Sequence, residues 1–209
     1  MKNYHHGNLK EELISCAFDM CERDGYTNLS IRSLAKESKV SQTAPYRHFK
    51  TKKDLYAAVA HQGFKKLNKE MYSIKAKNPK KYLVSCGKSY IHFGLKNANT
   101  YDLMFGTAVG SFIDYPELRE SANKLFTLLQ SSFSKASKDS EEVIAFKCIT
   151  LWSMAHGLVG IIRKVKIAGN LNEDSIGPMS FAGEIANNLD AHLDKVVTGI
   201  IENLSLIHI

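Results

Sequence analysis

Proline is scarce in this chain, with four in 209 residues, so little interrupts helix formation. No segment alternates apolar and polar residues between hairpin turns, which excludes a sheet-based fold. No run of eighteen apolar residues occurs, and the opening MKNYHHGNLKEE lacks the apolar centre of a secretory signal. The expectation is a cytoplasmic protein with no membrane span. The four cysteines, Cys16, Cys21, Cys86 and Cys148, form no C-x-x-C pair. Each sits among apolar neighbours, so they read as buried free thiols in a reducing compartment. Catalytic signatures are missing as well: no G-x-S-x-G, no P-loop, no H-E-x-x-H and no dinucleotide fingerprint. That argues against an enzyme and against a bound cofactor. His5 and His6 are adjacent but have no further ligands nearby, so no metal site is expected.

What is present is a core-forming share of apolar residues, 44%, and a net charge of +7. The length suits one large domain or two small ones. Much of the charge excess is concentrated. Between residues 31 and 53 stand Arg32, Lys36, Lys39, Arg47, Lys50, Lys52 and Lys53 against Glu37 alone. A patch of this kind suits a polyanion such as DNA, although on charge alone a solvated surface fits equally well.

Apolar spacing is helical almost throughout. A first helix is predicted from Asn8 to Arg23, with Leu9, Leu13, Ala17 and Met20 on one stripe and Asp24-Gly25 as its stop. Ser30 is placed to cap a second helix from Ile31 to about Ser38, with Ile31, Leu34 and Ala35 inward. After the turn at Lys39-Val40, Ser41 is expected to cap a short third helix ending near Phe49. Thr51-x-x-Asp54 is a capping box for a long, lysine-rich fourth helix over 52–75. Longer helices follow near 79–97, 100–106, 116–137, 140–166 and 179–203, with a break around 167–177. Pro79, Pro116 and Pro178 fall near their starts, where proline is tolerated.

Two short helices joined by a tight turn on a basic surface form a helix-turn-helix pattern. The third helix would then enter the major groove. This accounts for SQTAPYRHF at 41–49: Pro45 sits where a helix start can spare an amide. Gln42 suits a bidentate pair with adenine, and Thr43 and Ala44 suit a thymine methyl. Tyr46, His48 and Lys52 can donate to phosphates and set the register. Arg47 can read guanine or hold a phosphate, and Arg32 can reach the backbone or the groove. A single motif of this size contacts few bases, so a two-fold dimer on two half-sites is expected.

The block LSIRSLAKESKVSQTAPYRHFKTKKDLYAAV resembles the DNA-binding domain of the TetR/AcrR family of bacterial transcriptional regulators. Arg32, Leu34, Ala35, Val40, Ser41, Tyr46, His48, Phe49, Lys52 and Leu55 match that family's pattern, about ten positions over roughly 25 residues. Lys39 departs from it, standing where the family has glycine, so a lysine must take a backbone shape that glycine takes freely. LWSMAHGLVG, with Trp152, His156 and Gly157, resembles the Trp-x-x-x-His-Gly signature of one branch of the family, and YHHGNL and NTYDLMFG resemble other segments of that branch.

The resemblance implies an all-α protein: a three-helix helix-turn-helix domain at 1–53, a larger helical domain for ligand and dimer at 54–203, and a tail at 204–209. It implies a sequence-specific repressor that leaves its double-stranded operator when a small apolar or amphipathic effector binds. The dimer contact would lie on the last two long helices, the fourth helix would be the lever, and the His5-His6 arm would touch DNA. Aromatic-lined pockets are the usual effector sites, and Phe93, Met104, Phe105, Trp152 and His156 are the candidates here, with Tyr90 and His92 as further polar groups. Trp152 and His156 share a helix face and serve equally well as structural residues. The alternatives are a ligand-independent architectural DNA binder of weak specificity, and a helical enzyme or binding module with a look-alike front domain.

Overall fold

The computed structural model describes residues 9–168 and 178–205. His5 and His6, nearly all of the 167–177 break and the last four residues of the tail lie outside the described residues. Nine α-helices and no strand occur among the described residues: α1 Leu9–Asp24, α2 Ile31–Glu37, α3 Lys52–Tyr72, α4 Pro79–Lys96, α5 Ala98–Phe105, α6 Pro116–Ala136, α7 Glu141–Ala168, α8 Pro178–Asn187 and α9 Leu189–Ser205. Three short 3-10 turns, Tyr26–Asn28, Pro45–Arg47 and Phe112–Asp114, stand between them. The all-α expectation holds.

Local chemistry sets most boundaries. Pro79, Pro116 and Pro178 each occupy the first residue of a helix, where the missing N–H costs no hydrogen bond. Ser30 caps α2 as expected: its Oγ accepts from the Ser33 amide at 3.0 Å, and Ser33 Oγ accepts from the Ser30 amide at 2.9 Å. Gly25 ends α1 at φ 80 and ψ 147. That is an extended, positive-φ shape rather than the left-handed cap that the sequence suggests, and it is even more restricted to glycine.

The expected helix over 179–203 is two helices, broken at Asn188. The Asn188 carbonyl accepts from the His192 amide at 3.1 Å, so this residue starts α9 as a cap while its own amide closes α8 onto Glu184. Asparagine favours such positions over helix interiors.

The chain forms two compact units: 1–68 with 97–124, and 69–96 with 125–209. In the first, α1 packs on α2 and α5 around Leu13, Ala17, Phe18, Leu34 and Phe64. In the second, α7 packs on α4, α8 and α9, with Leu83, Ile91, Cys148, Val159, Ile162 and Leu193 buried. Residues of α3 and α6 fall in both units.

Cys21, Cys86 and Cys148 are buried free thiols, and burial pushes the Cys21 thiol up to about 12 and the other two to about 11. Cys16 is only half-buried, unlike its sequence reading.

Lys39 has φ 54, alone among the described non-glycine residues in being positive. A side chain in this left-handed shape costs about 1–2 kcal/mol, partly offset in glycine by its looser unfolded chain. Lys39→Gly is expected to stabilise the fold by about 0.5–1 kcal/mol, and Lys39→Val to destabilise it by about 1 kcal/mol or more. Thermal melts of the two variants check this; a lower melting temperature for Lys39→Gly contradicts it.

Candidate nucleic-acid interface

Residues 41–49 do not form the short α-helix expected. Turns cover 42–44, and a single 3-10 turn spans Pro45–Arg47. The cause is Pro45. In an α-helix its amide would serve the Ser41 carbonyl, but proline has none. The Ala44 amide takes that carbonyl instead, at 3.0 Å, and the chain winds more tightly through the next bonds, Arg47 N to Ala44 O at 3.2 Å and His48 N to Pro45 O at 3.0 Å, before Phe49 N returns to α-helical spacing on Pro45 O at 2.9 Å. Ser41 is therefore not a side-chain cap, because its Oγ lies 3.3 Å from Thr43 Oγ1.

The tight winding has a useful result. Pro45 and Phe49 are buried, while Tyr46, Arg47 and His48 between them are all exposed, Tyr46 by 51%. Two apolar residues thus pin a turn that fans three consecutive polar side chains outward. Ser41, Gln42 and Thr43 are exposed ahead of it and Ala44 is half-buried. Arg32 is exposed at the start of α2.

Behind this turn, the capping box at α3 forms as the sequence suggests. Asp54 Oδ2 accepts from the amides of Thr51 at 2.9 Å and Lys50 at 3.0 Å, and the Asp54 amide donates to Thr51 Oγ1 at 3.2 Å. Tyr115 adds a hydrogen bond to Asp54 Oδ1 at 3.3 Å. Burial alone would raise this carboxyl, but the hydrogen bonds from Thr51, Tyr115 and Lys50 outweigh it and hold Asp54 below the usual carboxylate range. Tyr115 was not legible as part of this region; 61 residues separate it from Asp54.

The electrostatics favour an anion. Glu37, the one acid within 31–53, is taken by Arg23 at 3.0 Å. Among the described residues, no carboxylate pairs with Arg32, Lys36, Lys39, Arg47, Lys50 or Lys53. Lys52 differs: its Nζ donates to the Thr27 carbonyl at 2.9 Å and lies 5.3 Å from the centre of the Tyr56 ring. It is anchored to its own unit, with donors left over.

The candidate effector residues are divided. Trp152 and His156 on α7 meet Tyr90 on α4: Trp152 Nε1 donates to the Tyr90 hydroxyl at 2.9 Å, and that hydroxyl lies 3.2 Å from His156 Nδ1. Phe93 is buried on α4 in the same unit. Met104 and Phe105 belong to the other unit, where Phe105 packs edge-on against Phe64 at 5.4 Å. His92 pairs with Asp190 at 3.0 Å.

The front of the chain, residues 13–59, matches the family model described as bacterial regulatory proteins, tetR family, and residues 83–175 match one described as tetracyclin repressor-like, C-terminal domain. The chain belongs to the tetR family. Solved structures share its fold. A protein of unknown function from Rhodococcus sp. RHA1 has a TM-score of 0.71 at 21% identity, covering 98% of this chain and 97% of its own. A point variant of TetR from Acinetobacter baumannii AYE, in complex with minocycline, has a TM-score of 0.61 at 17% identity, covering 94% and 96%. AibR, in complex with isovaleryl coenzyme A and operator DNA, has a TM-score of 0.55 at 16% identity, covering 86% and 95%. No curated protein matches the chain in sequence. As a tetR-family protein, the chain has its basic turn in the segment that the family's N-terminal model covers.

Proposed function

We propose that this protein is a homodimeric repressor that reads an operator through residues 41–48 and releases it when a small apolar or amphipathic effector binds. The observation that carries the reading is the turn at 45–47. It presents Tyr46, Arg47 and His48 together, beside exposed Gln42 and Thr43, amid cations that no carboxylate of the described residues neutralises. Gln42, Thr43 and Ala44 are assigned to base edges, and Ser41, Tyr46, His48 and Lys52 to phosphates. Arg32 and Arg47 serve either. The DNA-binding domain is assigned to 1–53 and the effector and dimer domain to 54–203, with α3 as the lever. Trp152, His156 and Gly157 support membership of the Trp-x-x-x-His-Gly branch.

Homodimerisation is supported by α7. Its inward side is buried, but Phe146, Ile149, Met154 and Ile161 are exposed, by 45–47%. Ser153, Gly157 and Gly160 lie exposed among them, and an added Cβ at either glycine would meet nothing within 4 Å. This apolar outer side is also why α7 is long and apolar enough by composition to cross a membrane. A second copy of the same helix pair would cover it. Effector release is a population shift, bounded by the effector's difference in affinity for the two states.

The test is a salt titration of binding to DNA from just upstream of the protein's own gene, against an unrelated duplex. The upstream DNA is expected to win by roughly a thousandfold or more. Tyr46→Ala is expected to weaken both duplexes alike while leaving the salt slope nearly unchanged, because the phenol is a neutral donor that releases no counterion. Gln42→Ala is expected to shrink the preference by about 1–3 kcal/mol. Equal affinity for both duplexes with a steep slope would favour the architectural alternative instead.

A further inference from the structure

A second basic stretch lies outside the DNA-reading segment. From 65 to 81 there are seven lysines against Glu70 alone, and five of them, Lys69, Lys75, Lys77, Lys80 and Lys81, belong to the second unit. That unit contains a cleft of about 480 Å³, formed by the α3–α4 connection, the first turn of α4 and the C-terminal half of α6. The volume is that of a small-molecule site.

Three features of the cleft's lining select a class of ligand. First, it includes Lys77 and Lys135 but no carboxylate, and neither lysine has an ion-pair partner among the described residues. Secondly, its walls are apolar or aromatic: Tyr72, Ile74, Pro79, Tyr82 and Leu128. Tyr72 is 59% exposed, so much of its ring is open to a ligand. Thirdly, most of its hydroxyls are already committed. Ser131 and Ser132 both donate to the Leu128 carbonyl, at 3.0 and 2.7 Å, and Tyr82 donates to the Met71 carbonyl at 3.1 Å. Thr127, Tyr72 and the two lysines are left as donors. Another cleft, of about 520 Å³ in the first unit, sets Asp54, Asp114 and Glu117 against Lys10, with His48 and His61 beside them, so it does not favour an anion.

We propose that the α3–α4–α6 cleft binds an organic anion, its carboxylate or phosphate head held by Lys77 and Lys135 and its apolar body lying against Tyr72 and Leu128. Lysines are point charges without the planar fork of arginine, so the head is recognised by charge and the body supplies the selection. The wider rim of Lys75, Lys80 and Lys81 draws anions toward the cleft. The assignment names the effector class for the repressor reading above, while the binding itself does not depend on that reading.

The probe is anilinonaphthalene sulfonate on the full-length protein, displaced by decanoate, decyl phosphate, decanol or inorganic phosphate at fixed ionic strength. Decanoate and decyl phosphate are expected to displace it at concentrations roughly tenfold below decanol, and the double variant Lys77→Gln/Lys135→Gln is expected to erase that advantage. Both lysines are exposed, so the variant should keep its melting temperature. If decanol matches the two anions, or the double variant keeps their advantage, the assignment fails. Displacement by inorganic phosphate as effective as by decyl phosphate would overturn the role given to the apolar walls. Operator affinity measured with saturating decanoate separates the two readings: lysine-dependent displacement with unchanged operator affinity retains the anion site and removes decanoate-type anions as effectors.

Discussion

Gly157→Arg is expected to turn the protein into a monomer at micromolar concentration while leaving the chain folded. Glycine in the middle of a helix costs about 1 kcal/mol relative to good helix formers. α7 carries two, at 157 and 160, and neither is needed to admit a neighbouring group of the same chain, because an added Cβ at either position meets nothing within 4 Å. Within one chain, then, the glycines weaken the helix without visible return. A second copy packed on Phe146, Ile149 and Ile161 would supply the reason, since small residues let two helices approach closely. An arginine at 157 improves the local helix but places a bulky cation in that contact. Two-fold symmetry places it there twice, at several kcal/mol for each charge left without a partner. Operator affinity should fall at least about a hundredfold, because two half-sites are no longer held together. Sedimentation of Gly157→Arg beside Ile113→Arg gives the comparison. Ile113 is exposed by 67% but lies off α7, so its variant should remain a dimer. A dimeric Gly157→Arg protein would rule out this face.

How far the sequence could be read depended on the range over which each feature is determined. Helix starts at Pro79, Pro116 and Pro178 follow from one residue's missing amide. The boxes at Ser30–Ser33 and Thr51–Asp54 are made within four residues, and so is the strained Lys39. All of these were legible, in whole or in part. The turn at 41–49 was legible as a location but not in its winding: the capping reading gave weight to Ser41, whereas the carbonyl left without a donor by Pro45 decided the outcome. The break at Asn188 was hidden because apolar spacing continues across it. Other features are products of tertiary packing. Asp54 meets Tyr115, Tyr90 meets Trp152, and residues 97–124 join the front unit rather than the helices on either side of them in sequence. No periodicity encodes such pairings. The lysines of 65–75 were legible as a lysine-rich helix but carried no role, because the net charge of +7 was nearly matched by the first basic stretch alone.

Lys147→Met is expected to cost about 3–5 kcal/mol of folding stability. Lys147 is 2% exposed, which is rare for a lysine. Its Nζ lies 2.6 Å from Asp139 Oδ2, which also accepts from the Ser137 hydroxyl at 2.6 Å. Asp139 stands in the short connection between α6 and α7, so the ammonium ties that connection onto α7. A surface ion pair would be worth at most about 1 kcal/mol. Here water screens the pair poorly, and removing the ammonium leaves the Asp139 carboxylate without its counter-charge, with the Ser137 hydroxyl still donating to it. Asp139→Asn should cost a similar amount for the mirrored reason, stranding the ammonium. Replacing both, as Lys147→Met with Asp139→Leu, should cost less than the sum of the single losses by about 2 kcal/mol, since neither charge then remains. Urea unfolding of the variants measures each quantity. The single losses should appear as lower midpoints with unchanged slopes. If Lys147→Met loses less than about 1 kcal/mol, the pair behaves like a solvated surface contact and the connection is held by the apolar packing of Phe133, Val143 and Ile144 instead.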